Sequence, residues 1–134
     1  MEITINIEAE VNPTESEDKV SKSLFNLFGE LKIEACFSHK GTVFTAQTND
    51  QGALNTLRSI LSRDRIRDAA RKVLHEGMKS NQLTFYLNKQ VAFAGHISFS
   101  EAEAESPLGP IKIIINCENP LELINWLAPR TSKY

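Results

Sequence analysis

Residues 54–90 read LNTLRSILSRDRIRDAARKVLHEGMKSNQLTFYLNKQ. The reading of this segment decides the fold, because helical spacing gives way to strand spacing inside it. Leu54, Leu57, Ile60 and Leu61 make one apolar stripe, with Asn49 or Asp50 upstream as its cap, and Ile66, Ala69, Ala70, Val73 and Leu74 make another. The step from Leu61 to Ile66 is longer than the three or four residues a straight helix wants. The spacing therefore predicts a break between Ser62 and Arg65 and two helices, the second ended by Gly77. Leu83, Phe85 and Leu87 then alternate with Thr84, Tyr86 and Asn88, which is a strand pattern. Asn88-Lys89-Gln90 reads as a polar turn. Val91, Phe93, Gly95, Ile97 and Phe99 alternate after it, so a hairpin is expected.

Upstream, Ile3, Ile5, Ile7, Ala9 and Val11 alternate with polar residues and predict a half-buried strand. Asn12-Pro13 reads as a helix start, Val20, Leu24, Leu27 and Phe28 as the helix's buried stripe, and Gly29 as its stop. Two strands follow, Leu31 to Phe37 and Thr42 to Thr48, joined by a turn at His39-Lys40-Gly41. Downstream, Ser100 to Pro110 reads as a loop, acidic at Glu101, Glu103 and Glu105. Ile111, Ile113, Ile114 and Ile115 are apolar on both faces and predict a central strand covered on both sides. Asn119-Pro120 opens a last helix that Pro129 ends. The fold class is α+β: one domain over 1–134, with a mostly antiparallel sheet of about six strands and helices packed on one face.

Composition supports a folded protein, with 41% apolar residues and 24% charged. Cys36 and Cys117 stand far apart and read as buried thiols in a reducing compartment. The N-terminus shows no basic flank or apolar run, so no signal peptide, no membrane span and a cytoplasmic location are expected.

The formal charge of −2 conceals a separation. Between Leu54 and Gln90 eight basic residues face three acidic ones, so the remainder of the chain is acidic. A general nucleic-acid binder usually has a basic total charge, so any such binding must use this local patch. On a helix running from Arg63, residues Arg63, Arg67 and Arg71 stack along one exposed edge. Arginine suits planar, bidentate partners such as phosphate. Lys89 and Gln90 would clamp a backbone from the tip of the hairpin. The same face also reads as a self-paired solvated surface, with Asp64 in register with Arg67, and Asp68 with Arg71 or Lys72.

Other chemistry lacks its motif. His39, His75 and His96 have no second histidine at metal spacing, and no Cys-x-x-Cys or nucleophile elbow occurs. No catalytic residue, metal or cofactor is assigned. Phe85, Phe93, Phe99 and Tyr86 are base-stacking candidates on a sheet, or core; Tyr86 faces away from the core set and is the better candidate.

Several blocks in one order carry a resemblance: Leu57-Arg58-x-Ile60-Leu61, Arg65-Ile66-x-Asp68-x-Ala70-Arg71, Phe85-x-Leu87-Asn88-Lys89-Gln90, Pro107-Leu108-Gly109-Pro110-Ile111, and Trp126-Leu127-Ala128-Pro129-Arg130-Thr131. Over nearly the whole chain the sequence resembles an archaeal family of uncharacterised proteins in the UPF series, labelled RNA-binding. The resemblance implies a ribosomal L-five-like α+β fold. Asp64, Arg67 and Val91 depart from the pattern it leads one to expect.

The expected function is non-enzymatic RNA binding or ribosome association by a homodimer. Arg58, Arg63, Arg65, Arg67, Arg71 and Lys72 would contact phosphates, with Lys89 and Gln90 at the hairpin tip. The alternative is a homodimeric scaffold that binds protein and no nucleic acid.

Overall fold

A computed structural model describes residues 2–38, 41–100 and 109–130. Strand β1 (Ile3–Val11) is followed by helix α1 (Glu17–Phe28), β2 (Glu34–Ser38), β3 (Gly41–Thr48), α2 (Asn55–Arg63), α3 (Arg67–Glu76), β4 (Met78–Lys79), β5 (Gln82–Asn88), α4 (Lys89–Phe93), β6 (Phe99–Ser100), β7 (Pro110–Cys117) and α5 (Pro120–Leu127). A single 3-10 turn, Gln51–Leu54, leads into α2 and is capped by Asp50.

The strands form one antiparallel sheet in the order β2-β3-β1-β7-β5-β4, with β6 also paired to β5. Alternation fixes its register. Ile3, Ile5 and Ile7 of β1 stand opposite Cys117, Ile115 and Ile113 of β7, and all point to one buried face. Leu83, Phe85 and Leu87 continue that face across β5. Leu24, Leu27, Leu57, Leu61, Leu74, Leu123 and Leu127 from the helices close over it.

The other face carries no helix among the described residues. Ile114 lies on it, half-buried, so β7 is central but covered on one side only. The sequence-based expectation of two covered faces fails there.

Four further local expectations are corrected. Helix α1 begins at Glu17 and is capped by Ser16, while Asn12 to Glu15 forms a tight turn with Glu15 N–H donating to Asn12 O at 2.8 Å. The second strand is shorter than expected and starts at Glu34. Cys36 is exposed on it; Cys117 is buried, and burial pushes its thiol pKa up. The hairpin expected between Leu83 and Phe99 is absent. Asn88 instead caps a short helix, accepting from Val91 N–H at 3.0 Å, and the chain returns to the sheet only at Phe99–Ser100. Most of the predicted acidic loop, 101–108, lies outside the described residues.

Lys89 shows why the chain turns into α4. Its Nζ reaches Glu10 O at 2.7 Å and Glu15 Oε1 at 2.8 Å, and only 4% of its side chain is exposed. The backbone carbonyl of Lys89 accepts from Ser23 Oγ on α1 at 3.1 Å. One residue thus joins the end of β1, the entry to α1 and the start of α4. Removing one partner of a buried pair leaves the other charge uncompensated. Lys89→Ala is therefore expected to cost about 3–5 kcal/mol, read as a lowered urea midpoint. A variant as stable as wild type would show the pair to be dispensable.

Candidate nucleic-acid interface

The break between α2 and α3 is a closed helix stop. Arg65 N–H donates to Ser62 O at 3.2 Å and Ile66 N–H to Leu61 O at 3.1 Å, with Arg65 at φ 57. This is a Schellman arrangement with arginine in the left-handed position that usually holds glycine. Leu61 and Ile66, the residues whose spacing marked the break, stand at its two apolar positions. The expected run of Arg63, Arg67 and Arg71 along one helix is therefore corrected: Arg63 ends α2, and Arg67 begins α3.

The elbow forms one wall of a cleft of about 340 Å³, lined by Arg58, Ser59, Ser62, Arg63, Arg67, Leu127 and Pro129. Arg58 is fixed there: its Nε donates to Trp126 O at 2.8 Å, and its guanidinium lies 5.3 Å from the Trp126 ring centroid. Stacking of this kind orients the fork and leaves its terminal donors available. Arg63 donates to Asp64 Oδ1 at 3.0 Å and to Gly95 O at 2.7 Å. Asp64 Oδ2 also lies 2.8 Å from His96 Nδ1. Asp64 thus pairs with Arg63 and His96, where Arg67 was expected. Arg67 lines the cleft half-buried, and among the described residues Arg65, Arg67 and Lys72 have no ion-pair partner.

The other expected site residues have different tasks. Arg71 donates to Asn125 Oδ1 and Ala128 O, both at 2.9 Å, and ties α3 to the end of α5. Lys89 is buried, so it is no exposed hairpin tip. Gln90 is exposed on α4 and lines a hollow that shares no lining residue with the elbow cleft. Sequence reasoning missed Ser59 and Ser62. Their signal was present as Arg58-Ser59 and Ser62-Arg63, a repeat at helical spacing that puts two hydroxyls beside two guanidiniums.

The open sheet face has a different character. A depression of about 410 Å³ on it is lined by Glu8 and Glu34 as well as Lys32 and Lys112, which gives no net charge. Tyr86 sits on this face, while Phe85 is core and lies 6.1 Å from Phe99. A base-reading sheet stacks two or three bases on several aromatics.

Comparison with known proteins places the chain. A UPF0201 protein of Sulfurisphaera tokodaii is 43% identical over 129 residues, covering 96% of this chain and 89% of that protein. The chain belongs to the UPF0201 family. Residues 4–117 match a family model described as RNA binding. A second archaeal UPF0201 protein, from Thermococcus kodakarensis, is 42% identical, with 95% of this chain and 90% of that protein covered. The crystal structure of a UPF0201 protein from Methanococcus jannaschii has a TM-score of 0.85 at 31% identity, covering 97% of this chain and 96% of that one. No helix among the described residues is long and apolar enough to cross a membrane. They also hold no group of three metal-ligating side chains.

Two expected outcomes follow from the elbow. A left-handed non-glycine residue is costly, so Arg65→Gly should raise stability by about 1 kcal/mol, measured by urea unfolding. A loss of stability would mean that the arginine side chain holds the turn. The second concerns pH. The hydrogen bond from Arg63, and then that from His96, hold the Asp64 carboxyl below its ordinary 3.8. A lowered folded value stabilises above the unfolded value, and that gain is lost as pH falls through the folded value. Wild type should exceed Asp64→Asn in melting temperature by a small margin at neutral pH, with the two curves converging below about pH 4. A margin that persists in strong acid would assign it to packing.

Proposed function

We propose that this protein binds RNA without catalysing a reaction on it, and that the elbow cleft between α2, α3 and the end of α5 grips the phosphate backbone. The observation that carries this reading is the cleft itself. Three guanidiniums and two hydroxyls converge on one concave surface, with Arg67 free to bind and Arg58 already oriented by Trp126. Arg65 at the apex of the elbow and Lys72 on α3 are exposed and add further cations to the same pair of helices. The family model described as RNA binding supports the same class of ligand. Phosphate binding at the elbow requires no ribosomal likeness.

The site assignment is narrower than the full basic segment. Arg71 and Lys89 are taken up by the fold; Arg63 also donates to Asp64 and Gly95 but lines the cleft, so the proposed phosphate-contacting set is Arg58, Arg63, Arg65, Arg67 and Lys72. A cytoplasmic location accords with this ligand. A second reading, a homodimeric scaffold, draws on the sheet face and the outer edge of β2 that no described residue covers or pairs.

Arg65 and Arg67 are the residues to test, because removing them breaks no ion pair among the described residues. In fluorescence-anisotropy titrations of labelled RNA at several salt concentrations, wild type should bind tightly at low salt and weaken steeply as salt rises. The Arg65→Gln, Arg67→Gln double variant should bind more weakly, with the slope of log affinity against log salt reduced by roughly 0.7 per lost contact on single strands. An unchanged slope would remove the elbow from the interface. Absence of binding at low salt would overturn the RNA reading and favour the scaffold.

A further inference from the structure

Phe93 is an aromatic that the missing hairpin leaves unexplained. It ends α4 and is 39% exposed, unlike Phe85, which is core, and Phe99, which packs against the core. Its backbone is held in place: Asn26 of α1 donates from Nδ2 to Ala92 O at 3.1 Å and to Phe93 O at 3.0 Å. Two ammonium groups from α1 flank its ring, Lys19 Nζ at 5.8 Å and Lys22 Nζ at 5.6 Å from the centroid. Beside the ring a hollow of about 390 Å³ opens between α1 and α4, and Lys19, Gln90 and Phe93 line it. The side-chain amide of Gln90 makes no hydrogen bond among the described residues and offers a donor and an acceptor side by side.

We infer that Phe93, Lys19, Lys22 and Gln90 form a stacking subsite for one unpaired base of single-stranded RNA. The inference rests on the RNA reading above and specifies the form of RNA. A base stacks on the fixed phenyl ring, its edge meets Gln90, and the two lysines take the adjoining phosphates. An exposed cation–π contact is worth less than base stacking, so a base can displace an ammonium from the ring while that ammonium turns to phosphate. The elbow lies close by. Arg63 donates to Gly95 O at 2.7 Å, two residues beyond Phe93, so the end of α4 and the basic cleft adjoin. A single strand can then run from the cleft to Phe93 with its phosphates on arginine and lysine. A duplex keeps its bases stacked and cannot use the ring.

The test compares a single-stranded uridine decamer, the same decamer with abasic positions, and a blunt RNA duplex, each labelled and titrated by anisotropy against the full chain. Phe93→Ala should weaken decamer binding about tenfold and leave duplex binding unchanged. Phe93→Trp should restore it, which a merely structural role would not predict. The abasic decamer should bind wild type as weakly as the intact decamer binds Phe93→Ala. Lys19→Gln with Lys22→Gln should flatten the salt dependence for the decamer. Wild-type decamer affinity in Phe93→Ala would overturn the subsite. If the elbow variant still weakens binding in that case, the RNA reading survives alone. If Phe93→Ala weakens binding and the elbow variant does not, the subsite stands and the elbow fails. If wild type binds none of the three probes, both fall.

Discussion

The buried ammonium of Lys89 is the contact on which the arrangement of the candidate surface depends. It holds the end of β1 and Glu15 at the entry to α1, while its own carbonyl receives Ser23 from the middle of α1. Such a pair adds little net stability over a well-packed apolar alternative, because desolvation offsets most of the attraction. It does penalise misplacement, since a shifted α4 would strand a charge. With α4 so placed, Asn26 secures its last turn, and Gly95 just beyond presents the carbonyl that Arg63 reaches. The elbow, the short helix and the end of β1 are thus linked by a series of polar contacts.

The one-sided sheet explains why both candidate sites lie among the helices. Alternation in β1, β5 and β7 sends every large apolar side chain except Ile114 to the helical face. Helices that pack on one face meet at their ends, and the ends are where concave surfaces with free polar groups arise. The cleft at the α2–α3 elbow and the hollow beside Phe93 are both of this kind. The outer face offers Tyr86 with a balanced set of charges, a weaker fit to a polyanion than the three arginines that line the elbow cleft.

Much of this was legible in the sequence. The five-residue step from Leu61 to Ile66 marked the elbow because the apolar contact of a helix stop requires those two positions. The alternation in β1 and the cap at Asn119 were equally plain. The stretch from Asn88 to Phe99 misled for a physical reason. An alternating pattern over so few residues fits a strand, whereas a five-residue helix is too short to display its own period. Asn88 is also a favoured residue in both a turn and a helix cap. Lys89 was read as exposed because isolated lysines nearly always are. Its burial depends on Glu15 and a carbonyl of β1, and no local pattern reveals partners so distant in sequence.

The same limit governs the basic residues. Sequence counts charges, but binding depends on which charges the fold has already used. Arg71 is committed to the end of α5 and Lys89 to β1, while Arg63 shares Asp64 with His96. Asp64 takes on a definite role in this light. A carboxylate between Arg63 and His96 fixes one wall of the cleft without touching Arg67, so it lowers the local potential and raises local order together. For a polyanionic ligand the first effect is unfavourable and the second favourable, because a preorganised donor loses less freedom on binding. Arg65 shows a related trade. Glycine would relieve the turn, yet arginine in that position holds an exposed cation at the apex of the elbow, so a backbone cost is carried where the chain presents a positive charge to solvent.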